Sequence, residues 1–291
     1  MDIDGEPVPI GSTIHLYLTD GRPSGIRIVE KDNWSGVGVD SARADLAVAR
    51  SRSEFQRCGV YLLVGEDEPS GLPALYVGEA DELGARIATH ASSSDFWTRL
   101  VLFMDKDGSL NKAHAKHLEA RLCAIGWPVK RCEFRNVVPP RLPNLSDSDR
   151  DFAERFLQEM LTVLPVIGIT SFQISAQPQI PPDILQLKSL PALGRGYETS
   201  EGFRVLAGAR AKVSEVPSIH DRTKRLRASL VDKGVLIKDG DALLFTEDYI
   251  FDSPSEAAAV LLARSVNGRE KWMSSTGRTL KEIQEEAASS G

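Results

Sequence analysis

The sequence has few cysteines, no long apolar run and no excess of positive charge. Its three cysteines, Cys58, Cys123 and Cys132, contain no Cys-x-x-Cys pair, so neither a disulfide framework nor a zinc knuckle is predicted, and reduced, mostly buried thiols are expected. No apolar stretch approaches the roughly 20 residues that span a bilayer, and the acidic N-terminus does not resemble a secretory signal. We therefore predict a cytoplasmic protein without membrane contact.

The overall charge is acidic, with a formal net charge of -6. Proteins devoted to non-specific nucleic-acid binding usually carry an excess of Lys and Arg, so this balance argues mildly against that class. Residues 202–233 depart from the average, because they contain eight Lys and Arg against three Asp and Glu. A local basic patch is therefore expected in the C-terminal part.

Local patterns divide the chain of 291 residues into four parts. Residues 1–50 are predicted to form an extension of one β-hairpin and a helix, and 51–168 a first domain that ends in a packing helix. Residues 169–200 are rich in Pro, Gln and Ser and read as a linker. Residues 201–291 are predicted to form a smaller mixed α+β domain. The fold class is therefore predicted as α/β, of the α+β type.

The first domain shows a clear order of elements. Two short apolar runs, at about 60–65 and 73–78, predict strands, and a helix follows from about 81 to 91 with Asp81 as its N-cap. The run "FWTRLVLFMDK" predicts a third strand, and "LNKAHAKHLEARLCAIG" a helix. The proline-rich stretch at 136–148 reads as an extended connector.

Five side chains of this domain suggest phosphodiester chemistry. Tyr61 and Tyr76 stand beside glycines in "GVY" and "YVG", Arg86 and His90 share one helix face because they are four apart, and Glu119 lies on the next helix. Hydrolysis needs a base for water, a cation for the phosphate and a carboxylate for a metal. Separately each residue has a simpler interpretation, such as a cross-strand aromatic pair for the tyrosines. Gly78 either allows a close backbone approach or marks a turn.

Together these residues resemble the GIY-YIG nuclease family over roughly residues 58–136. The resemblance implies a small domain with a central three-stranded antiparallel sheet flanked by helices, which cuts DNA with one Mg²⁺ or Mn²⁺ ion. It implies that Tyr61 is the base or orients the attacking water, and that Tyr76 hydrogen-bonds near the scissile phosphate. Arg86 would stabilise the transition-state charge.

Three further roles follow from the same resemblance. Glu119 would be the sole protein ligand of the metal ion, His90 would lie near the nucleophile, and Asn136 would be the asparagine that the family often carries downstream of the glutamate. The connection between the two strands is longer than usual and acidic, with "GEDEPSG". The alternative of a metal site from His114 and His117 with Glu119 is disfavoured, because such a pair on a Lys-rich helix is usually at the surface.

The C-terminal part resembles an uncharacterised domain often attached to bacterial GIY-YIG proteins, through "FRVLAGARA", "SPSEAAAVLLARSVNGREKW" and "GRTLKEI". We expect its basic patch either to contact the nucleic-acid backbone or to be a solvated helix face. Trp272 is expected in the core rather than as a stacking platform. The candidate nucleic-acid contacts are Arg204, Lys212, Arg222, Lys224, Arg225 and Arg227.

Two classes of function are therefore compatible with the sequence. The first is a metal-dependent endonuclease acting on DNA, in defence or repair. The second is a non-catalytic module that binds nucleic acid or protein on a nuclease scaffold. The complete set of Tyr61, Tyr76, Arg86 and Glu119 favours the first, because a retired site has no chemical reason to keep all four. The oligomeric state is not indicated.

Overall fold

The computed structural model describes residues 11–67, 69–173, 184–217 and 219–289. The chain divides into two compact units, Met1–Asp67 with Pro73–Ile174, and Glu68–Leu72 with Ser175–Gly291. Among the described residues, each unit is an α+β body built on one seven-stranded sheet. The predicted α+β class is confirmed for both units, but both sheets are larger than expected.

The first sheet is antiparallel except at one edge, where β7 runs parallel to β5. Its spatial order is β1-β2-β3-β6-β4-β5-β7. The strands are β1 (Ile14–Leu18), β2 (Arg27–Lys31), β3 (Gly36–Ala42), β4 (Gly59–Glu66), β5 (Pro73–Ala80), β6 (Trp97–Asp105) and β7 (Glu133–Phe134). The helices of this unit are α1 (Leu46–Ala49), α2 (Leu83–Ser93), α3 (Lys112–Val129) and α4 (Asp147–Val166).

The predicted three-stranded sheet is the centre of this larger sheet. Strands β4, β5 and β6 pair antiparallel, and β3 extends them by pairing along its whole length with β6. The predicted N-terminal hairpin exists as β1 and β2, whereas strand β3, which contains "GVGVD", was not predicted. The predicted helix is reduced to α1 between two short 3₁₀ turns, because the backbone of Arg52 is extended.

Helices cover both faces of the central strands. Val60, Leu75 and Val77 face a core that includes side chains of α3 and α4, whereas Tyr61 and Leu63 face a core that includes Leu83 and other residues of α2. A strand buried on both faces reads as a continuous apolar run rather than an alternating one. This two-sided burial explains the apolar composition of the runs around "GVY" and "YVG".

The second sheet is entirely antiparallel, in the order β12-β13-β11-β9-β10-β14, with β8 also paired to β9. Its strands are β8 (Leu185–Ser189), β9 (Ala192–Thr199), β10 (Gly202–Val205), β11 (Arg210–Lys212), β12 (Leu236–Asp239), β13 (Ala242–Phe245) and β14 (Tyr249–Phe251). Its helices are α5 (Asp221–Asp232), α6 (Pro254–Leu262), α7 (Gly268–Lys271) and α8 (Leu280–Ser289).

The predicted linker at 169–200 is wrong over its second half, which contains β8 and β9. Alternate residues of β8, Leu185 and Leu187, face the core of the second unit, a pattern that the Pro- and Gln-rich composition conceals. Residues 174–183 lie outside the described residues. Trp272 is fully buried, stacks near Phe203 with ring centroids 4.5 Å apart and donates from Nε1 to the Pro254 carbonyl. Its predicted core position is confirmed.

Within the described ranges, no helix combines the length and the apolar character that crossing a membrane requires.

Candidate functional site

An open cleft of about 530 Å³ lies where β4 and β5 meet α2 and α3. Strand β7 pairs with β5 only at Ala74 and Leu75, so on the side away from β4 the later part of β5 borders the cleft. Of the predicted catalytic side chains, Tyr61, Tyr76, Arg86 and Glu119 line this cleft. His90 contacts Tyr61 and Tyr76 from α2. The lining residues are Tyr61, Tyr76, Glu79, Ala80, Asp81, Glu82, Ala85, Arg86, Thr89, Lys112 and Glu119.

The two tyrosines lie diagonally on one face of the sheet. Tyr61 is directly opposite Gly78, and Tyr76 is opposite Leu63, so the tyrosine rings are 6.1 Å apart between centroids. A Cβ atom on residue 78 would overlap Cζ and the hydroxyl of Tyr61. The glycine of "YVG" therefore provides the space for the Tyr61 ring, and the alternative that Gly78 marks a turn is wrong.

The Tyr61 hydroxyl is held between two side chains of α2. It lies 2.8 Å from Nε2 of His90 and accepts a hydrogen bond of 3.2 Å from Nε of Arg86. The predicted shared helix face of Arg86 and His90 is confirmed, and it brings both side chains onto one tyrosine. The ring of His90 also lies 5.0 Å from the ring of Tyr76. Tyr61 is fully buried, whereas Arg86 is exposed.

The surroundings determine the protonation of this trio. Burial and the nearby Tyr76 raise the pKa of Tyr61 above its usual range, although Arg86 opposes the shift. Burial and the charge of Arg86 lower the pKa of His90. At neutral pH the phenol is therefore protonated and the imidazole is neutral, so the Tyr61 hydroxyl can donate to Nε2 of His90 while it accepts from Arg86.

A second carboxylate, which the sequence interpretation missed, accompanies Glu119. Burial and the charge of Glu79 raise the pKa of Glu119 to about 7, against the opposing charges of Arg86 and Lys116. Oε2 of Glu79 is buried and has no hydrogen-bond partner among the described residues. The available signal was its position directly after "YVG", at the end of a strand that borders the cleft.

The mouth of the cleft carries an ion pair. Nζ of Lys112 lies 2.6 Å from Oδ2 of Asp81, and both side chains are about half exposed. The prediction that Asp81 caps α2 is wrong, because Glu82 occupies the N-cap position and makes no side-chain cap bond. Asp81 instead pairs with the first residue of α3.

These residues fit a single hard cation better than a closed metal cluster. No group of three or more His, Cys, Asp or Glu side chains that could hold a metal occurs in the part of the chain that the structure describes. Two neighbouring carboxylates, one with an unpartnered buried oxygen, have the oxygen chemistry that Mg²⁺ and Mn²⁺ prefer, and such ions keep several waters. The pair Glu79 and Glu119 therefore fits the expected ion.

The two histidines of α3 contact helix α4 and do not line the cleft. His114 and His117 are buried, which corrects the expectation that they lie at the surface. Their Nε2 atoms lie 3.2 Å from Asp149 and 2.6 Å from Glu154, both on α4. They connect α3 to α4, and this contact with a helix more than 30 residues away could not be read from local spacing.

Asn136 lies beside the cleft rather than in it. Its Nδ2 donates to the Val77 carbonyl at 2.7 Å, and its Oδ1 accepts from the Val77 amide at 2.9 Å. Both polar atoms of the side chain thus form hydrogen bonds with the backbone of Val77 at the outer edge of β5, next to Tyr76. The structure gives Asn136 a role in holding this edge.

Two of the predicted nucleic-acid contacts are buried. Arg227 lies on the inner face of α5, where its guanidinium donates to the carbonyls of Lys212 and Val260 and pairs with Glu215. Arg204 is also buried and pairs with Asp248 at 3.4 Å. The expectation that these two arginines reach a phosphate backbone is therefore wrong, because both guanidinium groups are buried and interact with residues of the same unit.

The other basic residues of this unit are more accessible. Arg222 pairs with Asp252 at 3.3 Å, and Lys224 pairs with Asp221 at 3.3 Å. Arg225 is exposed and Lys212 is partly buried. The neighbouring carboxylates offset part of the local positive charge that the sequence count suggested.

A family model described as a domain of unknown function, DUF4357, matches residues 185–284. This confirms the expectation of an uncharacterised C-terminal domain and moves its start from 201 to 185, in agreement with β8. No match to the GIY-YIG family is found. Neither the curated proteins nor the solved structures contain a match.

Proposed function

We propose that the first unit is a metal-dependent endonuclease of the GIY-YIG type, which hydrolyses phosphodiester bonds in DNA. The observation that carries this proposal is the Tyr61 hydroxyl, held between Arg86 and His90 at a cleft that Tyr76 and Glu119 also line. At this one oxygen a proton acceptor, His90, and a cation, Arg86, come together.

The trio can move a proton and stabilise charge. Tyr61 takes a proton from the attacking water while its own proton passes to Nε2 of His90, which the lowered pKa leaves free to accept it. Arg86 donates to the phenol oxygen and stabilises negative charge on it. Because the Arg86 guanidinium is exposed, it can also bind a non-bridging phosphate oxygen, for which its planar fork is suited.

The carboxylates complete the site. Glu119 and Glu79 would hold the divalent ion, which when bound supplies Lewis-acid stabilisation of the phosphoryl oxygens and the leaving group. Tyr76 borders the same cleft and contacts the His90 ring, so it orients the imidazole and can donate its hydroxyl to the phosphate.

Supercoiled plasmid tests this proposal directly. Nicking with Mg²⁺ or Mn²⁺ should fall by about 100-fold or more in Tyr61→Phe, Arg86→Ala and Glu119→Gln, because each removes a proton-transfer or charge-stabilising group. Arg155→Ala, at an exposed position on α4, is a control of the same residue type as Arg86 and should retain activity. Folding of every variant is checked by circular dichroism. Equal nicking by the wild type and the three site variants would contradict the assignment.

The burial of Tyr61 favours a second candidate, a binding module without catalysis. A hydroxyl that is already satisfied by Arg86 and His90 is shielded from bulk water. Metal and nucleic-acid binding without any cleavage, on duplex, single-stranded and branched substrates, would support this alternative. On the second unit, the proposed backbone contacts are now limited to Lys212, Arg222, Lys224 and Arg225.

A further inference from the structure

The chain that leaves β7 runs along the border of the cleft. Arg135 donates its amide to the Leu75 carbonyl at 2.7 Å, and Asn136 holds both backbone groups of Val77. Val77 is two residues from Glu79 on β5, about 7 Å along a strand. Residues 135–146, here called the connecting segment, therefore begin beside the part of β5 that carries the cleft-lining Tyr76 and Glu79.

The connecting segment exposes apolar side chains. The exposed fractions of Val137, Val138 and Leu142 are 95%, 72% and 60%. Single exposed apolar residues are ordinary, but a group of them beside a cleft marks a contact surface. Among the described residues, 135–146 contain no helix or strand, so these side chains are not the outer face of a packed element.

The segment is also pre-ordered. Asn136 fixes its beginning, and Ser146 ends it as the N-cap of α4, where its hydroxyl accepts from the Asp149 amide at 3.2 Å. Prolines at 139, 140 and 143 restrict the backbone between these anchors. The segment therefore loses little conformational entropy when a partner binds to it.

The charges indicate what kind of partner fits. The cleft is lined by four carboxylates, Glu79, Asp81, Glu82 and Glu119, against two cations, Arg86 and Lys112. A polyanion gains little from that balance and needs cations outside it. The connecting segment carries Arg135 and Arg141 and contains no Asp or Glu. Arg135 pairs with Asp67, which leaves the exposed Arg141 as the segment's main site for phosphate.

We infer that the connecting segment is a nucleic-acid contact surface, in which Arg141 binds a backbone phosphate and Val137 and Val138 pack against base faces. This inference rests on the proposed function. Apolar side chains inserted at a base step unstack it and bend the duplex. The preferred substrate is therefore a nucleic acid with an easily unstacked step or an unpaired base close to the bond that is cut.

Binding without cleavage tests the inference in the full chain with metal chelated. Fluorescence anisotropy is measured with labelled duplex DNA, the matching single strand and a duplex with one unpaired base, and unstacking is followed by 2-aminopurine emission. The double variant Val137→Ser, Val138→Ser should bind about 10-fold more weakly, because the apolar surface that the two valines bury against the bases is lost, and should lose the rise in emission. Arg141→Gln should reduce the slope of the logarithm of the binding constant against the logarithm of the salt concentration by about one, which corresponds to the loss of one phosphate contact.

Val166→Ser is the matched control. Val166 is 63% exposed at the far end of α4, about 30 Å along the helix from Ser146, and this variant should bind as the wild type does. If the wild type binds and the double variant binds equally well, the inference is overturned while the proposed nuclease stands. If the wild type neither binds nor nicks any of these nucleic acids, the proposed function fails, and the inference with it.

Discussion

Replacement of Gly78 by alanine tests how closely the fold and the candidate site depend on each other. The added Cβ would overlap the distal ring atoms and hydroxyl of Tyr61, and Tyr61 is fully buried in a packed core, so its ring cannot move aside without displacing its neighbours. Overpacking of this kind costs about 1–3 kcal/mol, against about 0.5–1 kcal/mol gained from replacing glycine in a strand. The free energy of unfolding should therefore fall by about 1–2 kcal/mol.

Urea denaturation followed by tryptophan fluorescence measures this change, because three of the four tryptophans lie in the first unit. With a slope of about 2 kcal/mol per molar urea, the midpoint should fall by about 0.5–1 M. Gly38→Ala is the control in the same sheet, since its Cβ would lie 3.1 Å from the Phe103 ring, and it should change the free energy by less than about 1 kcal/mol.

A double-mutant cycle identifies the cause. Leucine at position 61 lacks the ring atoms that the alanine Cβ would meet, so Gly78→Ala should cost less in a Tyr61→Leu background than in the wild type. Nicking activity should fall in Gly78→Ala as well, because the Tyr61 hydroxyl leaves its place between Arg86 and His90. An unchanged or raised midpoint for the single variant, or strict additivity in the cycle, would refute the packing argument.

Three other predictions concern titration and the second unit. Glu119 has a raised pKa of about 7 against an ordinary 4.5, so the native metal-free protein binds more protons between these values and its free energy of unfolding should fall as pH rises through that window; Glu119→Gln should lose this pH dependence in urea titrations. Arg227→Ala leaves the carbonyls of Lys212 and Val260 without their donor and should cost the second unit about 2–4 kcal/mol, measured by thermal unfolding, with unchanged nucleic-acid affinity at temperatures where the variant is folded. Trp272→Ala should cost about 3–5 kcal/mol in the same assay, and a normal melting curve would contradict its core position.

Local patterns in the sequence were sufficient where one element supplies the signal. The strands around "GVY" and "YVG" and the helices α2 and α3 follow from apolar runs and periodicity. Ser253 caps α6, where its hydroxyl accepts from the Glu256 amide within the same turn. The helical spacing of Arg86 and His90 also placed both side chains on one face. Each of these features depends on residues within a few positions of one another.

Features that depend on distant partners could not be predicted in this way. Strand β3 forms because β6 pairs with it across more than 50 positions, and Arg227 is buried because carbonyls of other elements accept its protons. Glu79 affects Glu119 only because the edge of β5 and helix α3 border the same cleft.

The residue types that give the candidate site its chemistry are therefore visible along the chain, whereas their protonation and accessibility are not. The pKa of a carboxyl or an imidazole responds to burial and to charges that approach through space. Tyr61 carries the same hydroxyl in any fold, but its place between His90 and Arg86, and the space that Gly78 leaves for its ring, arise only when strands β4 and β5 pair in this register beneath α2.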